Sequence, residues 1–174
     1  MPAYEHIAAA IREVPDFPKK GILFYDITTP IKDPALFREI VDIFHQQYAD
    51  KKIDKVVGIE ARGFLFASAL AYKLGAGLIP VRKPGKLPAE TVEVSYDLEY
   101  GTDSVQMHRD ALEAGENVLV IDDLLATGGT AAATCKLVRE MGADIVGVAF
   151  VVELDFLSGR EKLEGEDIFS IIHY

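Results

Sequence analysis

Two adjacent carboxylates, Asp122 and Asp123, stand at the end of the apolar run 118–121 and are soon followed by Ala126, Thr127, Gly128, Gly129 and Thr130. The apolar run is rich in β-branched residues, the pattern of a strand buried on both faces. The small residues let backbone N–H groups turn inward. A helix opening near Thr130 and ending at Gly142 brings unpaired amides and the positive end of its dipole to the same place. Strand, small-residue turn and helix start together make a concave site for a phosphate. No lysine follows the glycines, which excludes the triphosphate loop G-x-x-x-x-G-K-[ST], and G-x-G-x-x-G is absent as well. Two acids beside the cradle would repel a bare polyphosphate. They suit a ligand with hydroxyls next to its phosphate, such as a ribose 5-phosphate. A lone GG pair would read as well as an ordinary turn beneath surface acids.

The cradle needs a sheet behind it. Lys55–Ile59 and residues 78–81, 144–152 and 168–172 carry strand patterns, and Gly63–Leu74, closed by Gly75, reads as a helix. Asp33-Pro34 is a capping acid followed by proline at the first helical position, and Phe37, Ile40, Val41, Phe44 and Tyr48 then keep helical spacing. Residues 4–14 are expected as one short amphipathic helix on Ile7, Ala8 and Ile11, and 158–163 as another short helix. Pro15 and Pro18 force an extended or turning path, and 21–27 is either a strand edge or a structured loop. Residues 82–106 break the alternation. A basic turn with two prolines (82–88) precedes an alternating strand at 91–95, with which 104–107 can pair as a hairpin, 96–101 being part of the connection. The pattern predicts a single α/β domain over 1–174: an open, mostly parallel twisted sheet with helices on both faces. A small hood including the β-hairpin is expected from the N-terminal segment and roughly 82–106.

A length of 174 residues with 49% hydrophobic content can bury a substantial core, and a mean hydropathy of +0.14 argues against disorder. The 28 acids against 18 bases give a net charge of −10, a surface that repels nucleic acid and anionic membrane, so neither is expected as a partner. The bases at Arg82, Lys83 and Lys86 stand out against that background. The lone Cys135 permits no internal disulfide and suits a reducing cytoplasm; inside the helix after the cradle, it fits core packing. Glu5, Arg12 and Glu13 interrupt the N-terminus, so no signal peptide is expected, and the apolar stretch 145–152 is too short to cross a bilayer. His6, His45, His108 and His173 are too dispersed along the chain for a metal motif.

The ordered segment DDLLATGGT resembles the 5-phosphoribosyl-1-pyrophosphate (PRPP) signature of the type I phosphoribosyltransferases. Pro15-Asp16-Phe17-Pro18, Phe24, Asp26-Ile27, Arg62-Gly63-Phe64, Lys86-Leu87-Pro88, Ser95-Tyr96 and Leu98-Glu99-Tyr100-Gly101 are similar, in the same order, to the adenine phosphoribosyltransferases. The similarity spans nearly the whole chain. It implies a purine-salvage enzyme, a magnesium-using homodimer in the cytoplasm that makes AMP and pyrophosphate from adenine and PRPP. Two alternatives stand beside it: another purine phosphoribosyltransferase, or a non-catalytic PRPP-sensing regulator. Regulators of that kind usually add a DNA-binding domain, for which no segment is left over.

The resemblance also implies roles. Asp122 and Asp123 would hold the ribose hydroxyls and stabilise positive charge developing at C1′ as pyrophosphate leaves. Ala126, Thr127, Gly128, Gly129 and Thr130 would hold the 5′-phosphate through backbone amides and hydroxyls. Glu60, Ala61 and Arg62 would form the pyrophosphate loop, where such enzymes often have a cis peptide, here Glu60-Ala61. Arg62 offers a fork for phosphate oxygens, though without the motif it reads as a surface cap of a strand end. Some members carry Asp-Ser where this chain has Glu-Ala. Arg82, Lys83 and Lys86 would be further anion ligands, or else a solvated basic turn. Leu23, Phe24 and Tyr25 would line the adenine pocket. Phe24 would stack on the purine unless it is a core aromatic, and Tyr25 stands where other members carry arginine. Glu99 would exchange a proton with adenine N7, and Tyr100 would close over the site within a mobile loop, 96–101. Gln106, where the family often has glutamate, receives no role. Magnesium is expected mainly on PRPP oxygens and water. The paired acids are expected at a solvent-facing strand end.

Overall fold

The computed structural model describes residues 4–98 and 101–174. In chain order the elements are Glu5–Ala10 (α1), Arg12–Pro15 (β1), Leu23–Asp26 (β2), Thr28–Ile31 (α2), Pro34–Tyr48 (α3), Lys55–Ile59 (β3) and Gly63–Leu74 (α4). Gly77–Val81 (β4), Thr91–Asp97 (β5), Thr102–His108 (β6), Asn117–Leu125 (β7), Gly129–Glu140 (α5), Asp144–Glu153 (β8) and Ile168–His173 (β9) follow. Two 3-10 turns, Asp155–Leu157 and Gly159–Leu163, lie between β8 and β9.

Five strands pair in the order β4-β3-β7-β8-β9, every neighbour parallel. From β3 the chain passes through α4 outward to β4; from β7 it passes through α5 the other way, to β8. The strand order therefore reverses between β3 and β7, and a crevice opens beyond their C-terminal ends, the usual ligand position in an open α/β sheet.

Each face of the sheet has its own core. Phe44 and Tyr48 of α3 and Phe66 and Leu70 of α4 pack with Val56, Leu119, Ile121 and Ala149. On the other face Cys135, Leu137 and Val138 of α5, with Val94, Val105 and Met107 of the β5–β6 hairpin, pack on Val57, Val118, Val120 and Phe150. Neighbouring strand residues point to opposite faces, which is why these strands read as unbroken apolar runs. The expected sheet, helices on both faces and hairpin are all present. Asp33 caps α3 by accepting the Ala35 and Leu36 N–H groups at 2.8 and 3.2 Å, and Gly75 closes α4 at φ +68°.

Several local expectations are corrected. The first helix stops at Ala10, because the Thr29 hydroxyl donates to the Ala10 carbonyl (2.6 Å) and its oxygen takes the Arg12 N–H (3.1 Å). The chain then runs extended into β1, which pairs antiparallel with β2, so 21–27 contains a strand. The short helix expected at 158–163 is a 3-10 turn over Gly159–Leu163, entered from Ser158 at φ +51°. The hairpin strands are longer than expected and absorb Tyr96 and Asp97, with Tyr96 opposite Asp103. β7 does not leave the sheet at the paired acids, since β8 runs beside it to the Leu125↔Glu153 pairing. Glu99 and Tyr100 lie outside the described residues.

Candidate active site

The first wall of the crevice is the turn from β7 into α5. Asp122, Ala126, Thr127, Gly128, Gly129 and Thr130 line a pocket of about 90 Å³ there. Gly128 has φ +79°, and a Cβ on it would run into the Gly159 carbonyl oxygen. A Cβ on Gly159 would in turn strike the Ala126 carbonyl oxygen. The turn is thus braced, backbone against backbone, by the 3-10 turn after β8. The first N–H groups of α5 have no partner within their own helix and open on this pocket.

The paired acids sit within the crevice and not on a solvent-facing strand end. Asp123 is only 6% exposed and accepts a hydrogen bond from Arg62 Nε at 2.5 Å. Asp122 accepts the Asp123 N–H at 2.8 Å. Burial, then the neighbouring Asp123, push the Asp122 carboxyl well above the usual aspartate range. Gly63 makes the approach possible: a Cβ there would lie 2.8 Å from Asp122 Oδ1. The start of α4 is therefore pressed against the acids.

The second wall follows β3. The Glu60-Ala61 peptide is cis. The Glu60 carboxylate, 9% exposed, accepts the Lys83 N–H at 2.8 Å, Arg82 Nε at 3.1 Å and the Lys86 ammonium. Burial alone would raise its pKa, but the Lys86, Lys83 and Arg82 hydrogen bonds hold it below the usual glutamate value. Glu60 gathers the basic turn, and Arg82 and Gln106 exchange backbone hydrogen bonds of 2.9 and 2.7 Å. Gln106 further accepts the Gly85 N–H at 3.2 Å and donates to Glu93 at 2.6 Å, which glutamate could not do. The Lys83 ammonium reaches Asp103 and, at 2.7 Å, the Tyr96 hydroxyl, which lies 2.9 Å from Thr130 Oγ. Burial lowers the Lys83 pKa, yet Asp103 and Tyr96 more than offset this and hold it above the ordinary lysine value.

The third wall is β2. The Arg62 guanidinium lies 5.3 Å from the Phe24 ring centroid, and Phe17 meets Phe24 edge-on at 5.1 Å. Leu23 is exposed beside it. Tyr25 stacks instead on Tyr174, centroids 4.0 Å apart, against the α3–α4 core. Successive β2 residues face opposite ways, so Phe24 and Tyr25 have different neighbours.

The phosphoribosyl transferase domain family model matches residues 28–172, which carry both loops and the basic turn. An adenine phosphoribosyltransferase of Solibacter usitatus is 60% identical over 168 residues, 97% of either chain. The chain belongs to the adenine phosphoribosyltransferase family. The adenine phosphoribosyltransferase structure from Thermoanaerobacter pseudethanolicus has a TM-score of 0.95 at 52% identity, covering 98% of this chain and 99% of that one. The Saccharomyces cerevisiae enzyme, complexed with an imino-altritol bisphosphate and adenine, gives 0.91 at 43% identity, covering 96% and 97%.

In this phosphoribosyltransferase the structure brings Arg62, Asp122, Asp123, Phe24 and the 126–130 turn to one crevice, with Arg82 and Lys86 gathered on Glu60 at its edge. Lys83 is turned to the hairpin. Sequence reasoning missed Gly159 and Asp103, gave Gln106 no role, and named Tyr96 only within the resemblance and the loop 96–101. Each acts through a partner distant in the chain, and no local pattern marks it. His173 shows the same blindness: with Glu153 and Asp155 it forms, among the described residues, the one group able to converge three metal-type ligands. Glu153 is already bound by Arg160 at 2.5 and 2.7 Å and by Ser170 at 2.5 Å, so the group is a structural ion pair.

Proposed function

We infer that the protein transfers the 5-phosphoribosyl group of PRPP to adenine, giving AMP and pyrophosphate in purine salvage. One observation carries the reading: the phosphate-sized turn 126–130 and the Arg62 loop meet at a single switch point with paired carboxylates between them. Backbone amides of the turn, with Thr127 and Thr130, hold the 5′-phosphate. Arg62, Arg82 and Lys86 take the pyrophosphate, and Glu60 and Ala61 set the loop that presents Arg62. When pyrophosphate draws Arg62 away, Asp123 is released to accept a ribose hydroxyl. Asp122 beside it faces the charge that develops at C1′. Two crevice carboxylates, one of them salt-bridged, are too few for a protein cage; they fit a magnesium ion that takes most of its ligands from PRPP and water. When bound, that ion neutralises pyrophosphate charge.

The N-terminal segment and roughly 82–106 serve as the hood over the base, with Leu23 and Phe24 against the purine. Glu99 handles the proton at N7, and Tyr100 covers the site. Glu99→Leu should therefore lower kcat more than it weakens PRPP binding, as separate turnover and PRPP titrations would read; lost PRPP binding with intact chemistry would overturn the role. Tyr25 contributes through its backbone. Tyr25→Ala should cost about 1–3 kcal/mol of stability in urea denaturation, through loss of the Tyr174 stack, yet keep the preference for adenine over hypoxanthine. A switch of base preference would place recognition in the side chain.

A homodimer fits the edge strand β4 and α4, where Leu65, Leu78 and the 90% exposed Tyr72 face outward. Sedimentation at a monomer's mass would exclude it. No described helix is long and apolar enough to cross a membrane, and the single buried thiol fits a reducing cytoplasm. The deciding experiment is AMP formation from adenine and PRPP with guanine and hypoxanthine as competitors. Preferred use of either competitor would reject adenine as the substrate.

A further inference from the structure

We propose that Tyr96 is a positioning residue for the phosphate cradle: its hydroxyl, held by Lys83, turns the Thr130 hydroxyl proton toward the bound anion. The proposal rests on reading 126–130 as the 5′-phosphate site. The Tyr96 oxygen lies 2.7 Å from Lys83 Nζ, 2.9 Å from Thr130 Oγ and 3.2 Å from Asp103 Oδ2. An ammonium only donates, so Tyr96 accepts from Lys83. The phenol then has one proton for two acceptors, Asp103 and Thr130. Asp103 is already served by the Lys83 ammonium and the Ser104 N–H at 2.8 Å.

An anion in the cradle settles the direction. Thr130 has a single hydroxyl proton; if the phosphate receives it, Thr130 must accept from Tyr96. The donors then run in one sense, Lys83 to Tyr96 to Thr130 to phosphate, each polarising the next. The ring is fixed for this purpose. A Cβ on Gly129 would lie 2.9 Å from Tyr96 Cδ2, so the ring edge seats against the first residue of α5, while Lys83 Nζ lies 5.2 Å from the ring centroid. Lys83 thereby acts on the phosphate through two hydroxyls and without touching it. The base-side hairpin and the phosphate cradle share one hydrogen-bond chain.

The test is a double-mutant cycle read by calorimetric titration with ribose 5-phosphate. Tyr96→Phe keeps the ring packed and should weaken binding roughly three- to tenfold, the worth of one hydrogen bond. Thr130→Val should weaken it at least as much. The double variant should bind no worse than Thr130→Val alone, since the phenol has nothing left to orient. In turnover, Tyr96→Phe should raise the KM for PRPP by a larger factor than it lowers kcat. Wild-type affinity in Tyr96→Phe, or simple addition of the two effects, would overturn the relay while leaving the cradle intact. A wild-type chain that fails to bind ribose 5-phosphate would overturn the cradle itself and the relay with it.

Discussion

Asp122→Asn combined with Asp123→Asn is expected to lower kcat by about 10²- to 10³-fold while the protein stays folded. Asparagine keeps the volume and one oxygen of each carboxyl, so ribose hydroxyls still find acceptors. What disappears is negative charge next to C1′ as the pyrophosphate bond breaks. Stability should change little, because two opposed effects partly cancel. Asp122 is held in a site that disfavours its charge, and removing that charge relieves repulsion from Asp123. Against this, Arg62 loses its carboxylate partner, but its side chain is 41% exposed and is rehydrated. Turnover at saturating adenine and PRPP, with a thermal melt alongside, reads both. Near-normal kcat in a folded double variant would remove these acids from the mechanism.

Gly128→Ala is expected to raise the KM for PRPP more than about tenfold and to cost about 1–3 kcal/mol of stability. Two penalties combine at this position. The backbone has φ +79°, which L side chains rarely adopt, and the new methyl would collide with the Gly159 carbonyl oxygen. Nothing flexible can yield, since the obstacle is main chain, so the turn must move and its amides lose their aim. Gly115 separates the penalties: it has φ +82° and no neighbour within 4 Å of its would-be Cβ. Gly115→Ala should show the backbone cost in denaturation without the change in KM. Equal KM values in the Gly128 variant and the wild type would mean that the turn does not grip substrate.

Where partners were neighbours in the chain, the sequence was easily read. Asp33-Pro34 announced the start of α3, Gly75 the end of α4, and the valine-rich runs the central strands, because caps and buried strands are local in cause. The end of the N-terminal helix is not legible, because its stop signal, the Thr29 hydroxyl, arrives from another element. The end of β7 is hidden at its acids, because polarity masks a strand whose continuation depends on the length of β8. In the crevice, residue types alone pick out the small-residue turn 126–130 and Arg62. The setting of Glu60 was not legible: an acid in an anion site makes sense only once Arg82, Lys83 and Lys86 are seen folded onto it.

The two hydrophobic cores lie on opposite faces of one sheet, and each roots a different part of the crevice: α4 carries the Arg62 loop, α5 the phosphate turn. The two parts also meet: Gly63 opens α4 against Asp122, which lines the pocket of the turn, and Arg62 bonds Asp123. Residues in contact couple. A packing change behind α4 should therefore be felt at the turn that α5 carries, and the reverse should hold behind α5. Apolar residues that never meet a ligand tune both ends of the crevice together, so a lineage drifting in one core is held back by the other.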